Sequence, residues 1–246
     1  AVTGEADQPP TRVGVFIIDQ MTGLYAAVAI LSALRARDAG HGGQYIDLAL
    51  LDVSVAAMAA RTVEWTLERK IPERLGTRSP GSAPAQVFEC KGGYLNIQAG
   101  AEADYRRLCD ALDLGHLKED PRFLTRMDRV RHQDELADLI HEKTRQRDPD
   151  ELMAALIAAG VVASPIYTAD RVVEDPQIRH KGLFFDVPHP TVGTVPLVAS
   201  PIRMSGTPVD RYDAPPTIGQ HTDDILGGIL GYPAEKIDAL RKSGAV

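Results

Sequence analysis

An apolar segment near the start of the chain, interrupted by one carboxylate, most constrains what this sequence folds into. It reads VGVFIIDQMTGLYAAVAILSAL from Val13 to Leu34. Its first part, Val13–Ile18, is a continuous apolar run of the length of a short buried strand. After Asp19, apolar residues recur at helical spacing as far as Arg37. The segment predicts a buried extended stretch that leads into a core helix, with Asp19 at the junction.

Helical and strand-like patterns then alternate along the chain. The stretch Ile71–Gln86 is dense in Pro, Gly and Ser and is predicted to be a linker. The sequence VFECKGGYLNIQA follows it and predicts a hairpin. The other predicted elements are a strand at YIDLALLD, an Ala-rich helix after that strand, helices at Glu102–Leu112, Asp128–Lys143 and Pro149–Ala159, a strand at Ala159–Thr168, a proline-broken β segment from Leu183, and two short C-terminal helices.

Length, charge and cysteine content restrict the class of protein. With 246 residues, one large domain or two smaller ones are expected. Lys and Arg number 27 against 34 Asp and Glu, a net charge of −7, which argues against nucleic acid as the main partner. Two cysteines are too few for a disulfide framework, so a cytoplasmic location is expected. No apolar run reaches the roughly 18 residues of a membrane span, so no membrane partner is expected.

Several catalytic and ligand-binding motifs are missing from the sequence. It contains no G-x-S-x-G, no G-x-G-x-x-G, no G-x-x-x-x-G-K-[ST] and no H-E-x-x-H. Cys90 and Cys109 lack the spacing of zinc ligands, and His189 and His221 are interpreted as surface or hydrogen-bonding residues. A metal site is therefore not predicted. The polar start AVTGEADQPPTR has no initiator Met, and we expect the chain to be a piece of a longer protein.

Asp19 admits two interpretations, and both depend on a helix that begins beside it. As an N-cap, the carboxylate would accept a backbone N–H from the first turn. As a catalytic group, it would lie where open α/β folds collect ligands, between a strand end and a helix N-terminus. The helix dipole keeps such a carboxylate ionised, so it needs no base to act as a nucleophile. In this second interpretation, Gly23 leaves room for a bulky acyl substrate.

The segment around Asp19 resembles the active-site segment of the class III coenzyme A transferases, the formyl-CoA:oxalate and carnitine CoA-transferase type. In that family an Asp is followed by Thr-Gly, a helix, and the pattern G-x-G-Q-x-(V/I)-D-x-x-L-x-D. Here two residues separate Asp19 from Thr22-Gly23, the helix runs to Arg37, and the last pattern extends from Gly42-Gly43-Gln44 to Asp52. Four further blocks follow in family order: DPRFLTRMDRVRHQDELADLI, LIAAGVVASPIYTADRVVEDPQI, VPHPTVGTVPLVASPIRMSGTP and APPTIGQHTDDILGGILGY.

The resemblance implies an α/β fold with two domains. Both chain ends, 1–45 and 168–246, would belong to a Rossmann-like large domain that is incomplete here, because the chain begins well after the family's N-terminus. A linker helix and loop would occupy 46–85, and a small α/β domain would be inserted at 86–167. Family subunits interlock like chain links, so a homodimer that buries LALLDVSVAAMAARTVEW is expected.

The resemblance also implies a double displacement with acyl-CoA and a carboxylic acid as partners. Asp19 would attack the thioester, forming a mixed anhydride and then an aspartyl-CoA thioester; the CoA thioester is a substrate, and no tightly bound cofactor is expected. A closing loop must shield the anhydride from water. Formyl-CoA transferases use a glycine run there, whereas Ser79–Gln86 has one glycine, Gly81. Gly23 and Gly81 are the predicted substrate-binding residues. The missing glycine run argues against formyl and oxalate substrates and leaves carnitine-like, succinyl and aromatic acids open.

Two other functions stay open at this point. A 2-methylacyl-CoA racemase of the same fold would use the equivalent of Asp19 together with a His of the missing N-terminal part and a supporting small-domain Glu. Glu102 lies near the position of that Glu, but a charge at a helix N-terminus is the preferred interpretation of this residue. The chain would otherwise be a non-catalytic fragment that contributes only dimer contacts.

Overall fold

A computed structural model describes all residues, Ala1–Val246. The chain divides into two compact units, Ala1–Ile166 and Tyr167–Val246. Helices and β-strands occur in both units. The predicted α/β class is therefore confirmed.

Helices fill the first part of the Ala1–Ile166 unit. Helix α1 spans Ile17–Ala36 and passes into a π-helical turn, Arg37–His41, where Gly40 with φ 92° breaks the helical geometry. Such positive φ angles favour glycine, which explains why the GHGG sequence ends the helix. Helices α2, Leu50–Ala57, and α3, Ala59–Glu68, follow after an extended stretch, and residues 69–84 form the linker loop without helix or strand.

A three-stranded antiparallel sheet with four helices forms the second part of this unit. Strands β1, Ala85–Cys90, and β2, Gly93–Gln98, make the predicted hairpin, and β2 also pairs with β3, Val162–Pro165. Gly92 in the hairpin turn has φ 84°, a conformation that few other residues adopt without strain. The helices between β2 and β3 are α4, Glu102–Ala111, α5, Arg126–Arg131, α6, Gln133–Thr144, and α7, Pro149–Ala158, with a 3₁₀ turn at Gly115–Glu119.

Alternation along the strands places the core on one face of this sheet. Phe88, Leu95 and Ile97 are fully buried, whereas Glu89 and Gln98 face solvent. Helix α6 packs on β1, and α7 packs on β2 and β3. The core cluster extends from Phe88 to Val161 and lies within the range predicted for the small domain. The compact unit that holds this core starts at Ala1, so the boundary at residue 86 and the pairing of the two chain ends stay predictions.

The Tyr167–Val246 unit contains a β-hairpin and short helices. Strands β4, Phe184–His189, and β5, Gly193–Val198, pair in antiparallel register. Two short helices precede the hairpin: α8, Ala169–Glu174, and α9, Pro176–His180, which is capped by the Asp175 carboxylate. A π-helical turn, Asp224–Ile229, and helix α10, Ala234–Ser243, end the chain. The β-like and helical patterns predicted for this region are confirmed.

Two predicted strands are wrong. Residues 13–16 have no strand pairing and α1 already starts at Ile17; residues 45–49 are extended without a partner before α2 begins at Leu50. Both stretches have strand-like composition, but a strand needs a neighbour to accept its backbone hydrogen bonds, and neither stretch has one in this structure.

Helix α1 exposes the apolar residues that the sequence assigns to a core. None of its residues is buried, and Leu24 and Leu31 are both 66% exposed. The helical stretch Ile17–His41 is long and apolar enough to cross a membrane by length and composition, which corrects the expectation that no segment of that kind is present. A core helix of a soluble protein passes the same test. The absence of a membrane partner stays a prediction.

Candidate active site

Asp19 lies in the first turn of α1, at the third helical position. The N-cap residue is Phe16, and no side chain caps the helix, so the interpretation of Asp19 as an N-cap is wrong. The reason is that the helix begins three residues earlier than the apolar pattern indicates. The Asp19 side chain is exposed and makes no hydrogen bond or ion pair. It remains within the first turn of the helix, near the backbone N–H groups that have no partner inside the helix.

Thr22 and Gly23 lie on the same face of α1 as Asp19, because residues three and four apart are neighbours on a helix surface. The Thr22 hydroxyl donates to the Ile18 carbonyl oxygen at 2.8 Å, so it is held against the helix backbone. A side chain built at Gly23 would meet no atom within 4 Å. The space beside the Asp19 carboxylate is therefore open, and a bulky group has room to approach it.

An apolar groove on α1 does not belong to this face. Its volume is about 220 Å³, and it is lined by Met21, Leu24, Tyr25 and Val28. With about 100° of rotation per residue, these four side chains centre about half a turn away from Asp19. The groove and the carboxylate therefore point to opposite sides of the helix.

Gly81 lies in another segment, Ser79–Ala85, which comprises the last six residues of the linker loop and the first residue of β1 and is termed the Ser79–Ala85 loop. It is exposed, and a side chain built there would meet no atom within 4 Å. No hydrogen bond or ion pair joins this loop to α1, so the structure brings Asp19 and Gly23 together on one helix but does not link them to Gly81. The catalytic role of Asp19 and the binding roles of both glycines stay predictions.

Glu102 is the first residue of α4 and is engaged in an ion pair. Its carboxylate accepts two hydrogen bonds from the Arg129 guanidinium, at 3.0 and 3.1 Å, and a third from the Arg126 backbone N–H at 2.9 Å. The hydrogen bonds with Arg129, more than any other factor, lower the pKa of Glu102 from its ordinary value. A carboxylate held ionised in this way is a poor proton donor, and its place at a helix N-terminus is confirmed.

Arg129 is the residue of this region that the sequence did not single out. Its side chain is completely buried, and its guanidinium lies 4.3 Å from the centre of the Tyr105 ring. The segment RMDRVR contains three arginines. Only the folded structure shows that Arg129 is buried whereas Arg126 and Arg131 are exposed. No signal in a single sequence distinguishes it.

The comparison with known protein families decides the identity of the chain. The family described as CoA-transferase family III matches residues 1–222. The chain belongs to this family. The resemblance carried by the segment around Asp19 and the four later blocks is confirmed.

Curated relatives of this family are similar over almost the whole chain. The succinate–glutarate CoA-transferase of Agrobacterium fabrum is 34% identical over 227 residues, which is 92% of this chain and 56% of that protein. The succinyl-CoA–D-citramalate CoA-transferase of Chloroflexus aurantiacus is 33% identical over 242 residues, which is 98% of this chain and 60% of that protein. The chain therefore spans little more than half the length of these relatives.

A solved structure supports the fold. The crystal structure of a CAIB/BAIF family protein from Brucella suis aligns with a TM-score of 0.78 and 34% identity. The alignment covers 92% of this chain and 59% of that one.

Proposed function

We propose that this chain carries the nucleophile of a CoA-transferase that moves CoA from a short dicarboxylic acyl-CoA to a free dicarboxylic acid. Membership of CoA-transferase family III is the observation that carries the proposal. The names of the similar relatives specify succinate, glutarate and D-citramalate as acids. The single glycine of the Ser79–Ala85 loop, which argues against formyl and oxalate substrates, is consistent with acids of this size.

Asp19 is the proposed nucleophile. Its ionised carboxylate attacks the carbonyl carbon of the donor thioester, and the C–S bond breaks to give a mixed anhydride and CoA thiolate. The thiolate attacks the aspartyl carbonyl carbon, which releases the donor acid and leaves an aspartyl-CoA thioester. Each step exchanges one nucleophile for another at a carbonyl carbon, so no external oxidant or metal is needed.

The acceptor acid reverses this sequence. Its carboxylate attacks the aspartyl-CoA thioester and forms a second mixed anhydride, with release of the thiolate. The thiolate then attacks the acceptor's acyl carbon, giving the new acyl-CoA and regenerating the Asp19 carboxylate. Thiolate is a good leaving group because the thiol pKa is near 8–9, so CoA can leave and return without a strong acid.

Two features of the site support this chemistry. The open face beside Asp19, with a glycine one turn further on, gives an acyl group access to the carboxylate. The Asp19 side chain is exposed and makes no hydrogen bond or ion pair that would compete with its attack on a thioester carbon.

Conversion of succinyl-CoA and glutarate into glutaryl-CoA and succinate tests the proposal, with Asp19→Asn as the decisive variant. Asn keeps the size of the side chain but lacks a nucleophilic oxygen anion. The matched control is Glu151→Gln, because Glu151 is also an exposed acid at the third position of a helix, α7, and lies outside the segments that resemble the family.

We expect the wild-type chain and Glu151→Gln to exchange CoA at similar rates, and Asp19→Asn to be folded and inactive. Hydroxylamine should attack the activated aspartyl group and form a hydroxamate at residue 19 of the wild type and of Glu151→Gln, and none in Asp19→Asn. Exchange by Asp19→Asn at a rate near that of the wild type would refute the proposed nucleophile. Incorporation of solvent deuterium at the α-carbon of a 2-methylacyl-CoA, without CoA exchange, would instead favour a racemase.

A further inference from the structure

The Arg129 guanidinium uses all of its hydrogen-bond donors. An arginine side chain has five N–H groups. Two of them donate to the Glu102 carboxylate. The other three donate to backbone carbonyl oxygens, of Ala83 at 3.0 Å, of Phe123 at 3.0 Å and of Gly100 at 2.9 Å. A fully buried cation with every donor satisfied fixes the groups around it, because each bond lost would leave a buried polar atom without a partner.

The carbonyl oxygens come from three segments that are far apart in sequence. Ala83 belongs to the Ser79–Ala85 loop, Gly100 follows β2, and Phe123 precedes α5. A lysine in the place of Arg129 would have three donors on a single nitrogen and could not reach these groups together. Arg129 is thus the point where the loop, the end of the hairpin and the start of α4 are joined.

Independent contacts fix the second half of the same loop. The Ala99 backbone N–H donates to the Pro84 carbonyl oxygen at 2.8 Å. Ser82 packs so closely on Gly100 that a Cβ atom at residue 100 would lie 1.6 Å from the Ser82 Oγ. Residues 83–86 are buried, whereas Pro80 and Gly81 are exposed. The loop therefore has a fixed base and a free tip, and Gly81 is at the tip.

We propose that Arg129 is a positioning residue for acyl transfer, which holds the base of the Ser79–Ala85 loop against the start of α4 and so determines where Gly81 is presented to the acyl group. This inference rests on the proposed function, in which Gly81 binds the substrate. Arg129 takes no part in bond making, and it acts through the loop and through the orientation of Glu102.

Hydrogen–deuterium exchange, read by mass spectrometry on the wild-type chain and Arg129→Lys, tests the structural half of the proposal. Arg126→Lys is the matched control, because Arg126 is exposed on the same helix and its side chain makes no hydrogen bond or ion pair. Loss of charge-assisted bonds predicts exchange about 10- to 100-fold faster in peptides covering 79–86 and 98–103 of Arg129→Lys. Arg126→Lys should match the wild type, and peptides of β3 and α7 should be unchanged.

Steady-state kinetics with succinyl-CoA and glutarate test the functional half. Displacement of the loop tip weakens binding of succinyl-CoA in the ground state and in the transition state alike. KM for succinyl-CoA should therefore rise roughly tenfold in Arg129→Lys, with a smaller change in kcat. A purely structural role would lower the amount of active protein, which reduces kcat and leaves KM unchanged.

Three results would overturn the inference: unchanged exchange in both loop peptides of Arg129→Lys, equally faster exchange throughout the core, or a loosened loop with unaltered KM. A wild-type chain that does not transfer CoA would overturn the proposed function and the role of Arg129 in transfer. The exchange data would still decide whether Arg129 holds the loop, so the two failures are distinguishable.

Discussion

Substitution of Gly100 by alanine tests most directly whether the Ser79–Ala85 loop packs on the end of the β1–β2 hairpin. The Gly100 backbone is not in the left-handed region, so alanine there is unfavourable only because of space. The new Cβ would lie 1.6 Å from the Ser82 Oγ and 3.0 Å from the Ser82 Cβ. Rotation of the serine side chain relieves the first contact but not the second. Gly100→Ala should therefore destabilise the chain by about 1–3 kcal/mol, the usual penalty of overpacking.

The clash involves the Ser82 side chain, which can be truncated. A double-mutant cycle therefore measures the coupling between positions 82 and 100. Ser82→Ala removes the Oγ and should restore part of the stability of Gly100→Ala, and Ser82→Gly should restore nearly all of it. The free energies of unfolding of the four proteins in each cycle, measured by urea denaturation, give the coupling. Strictly additive effects of the substitutions at positions 82 and 100 would refute the close packing of the loop on the end of the hairpin.

Two further predictions concern ionisable groups. The pKa of Glu102 is held below its ordinary value of 4.5, chiefly by its hydrogen bonds with Arg129, so its contribution to stability is present above pH 4.5 and is lost as the pH falls through the lowered pKa. Urea midpoints of wild type and Glu102→Gln should therefore differ at pH 7 and converge in acid, and a constant difference would contradict the ion pair. Burial raises the thiol pKa of Cys90 and Cys109, so iodoacetamide should modify both slowly at pH 7 in the folded chain and rapidly in urea; rapid modification of the folded chain would contradict their burial.

Local patterns were enough to predict the elements that are stabilised by their own sequence neighbours. The hairpin at 85–98 has a turn with glycine and two alternating strands, and helix α7 has an Asp148 cap followed by Pro149. Both features act over a few residues, so a single sequence contains the information. The linker predicted at Ile71–Gln86 corresponds to the loop 69–84 for the same reason, because it is rich in Pro and Gly, although its last two residues belong to β1.

Elements that depend on distant partners were not predictable in this way. Val13–Ile18 has the composition of a strand, yet its state depends on whether another strand lies beside it, and in this structure none does. Arg129 is surrounded by Glu102, by the distant carbonyl groups of Ala83 and Gly100 and by the nearer carbonyl group of Phe123, and most of these contacts form only when the chain is folded. The motif predicts Asp19 as the catalytic residue, and that role stays a prediction, whereas no sequence signal indicates that Asp19 lies at the third position of α1.

Transfer of an oxygen atom tests the central claim, that Asp19 is the covalent nucleophile, most directly. If the acceptor acid attacks the aspartyl-CoA thioester, one of its carboxylate oxygens remains on Asp19 when the cycle ends. The chain is incubated with succinyl-CoA and oxygen-18-labelled glutarate, digested, and the peptide containing residues 17–36 is analysed by mass spectrometry. We predict that oxygen-18 appears in Asp19 of the wild type and of Glu151→Gln, and only when succinyl-CoA is present. Active exchange of CoA with no label in Asp19 would contradict the account.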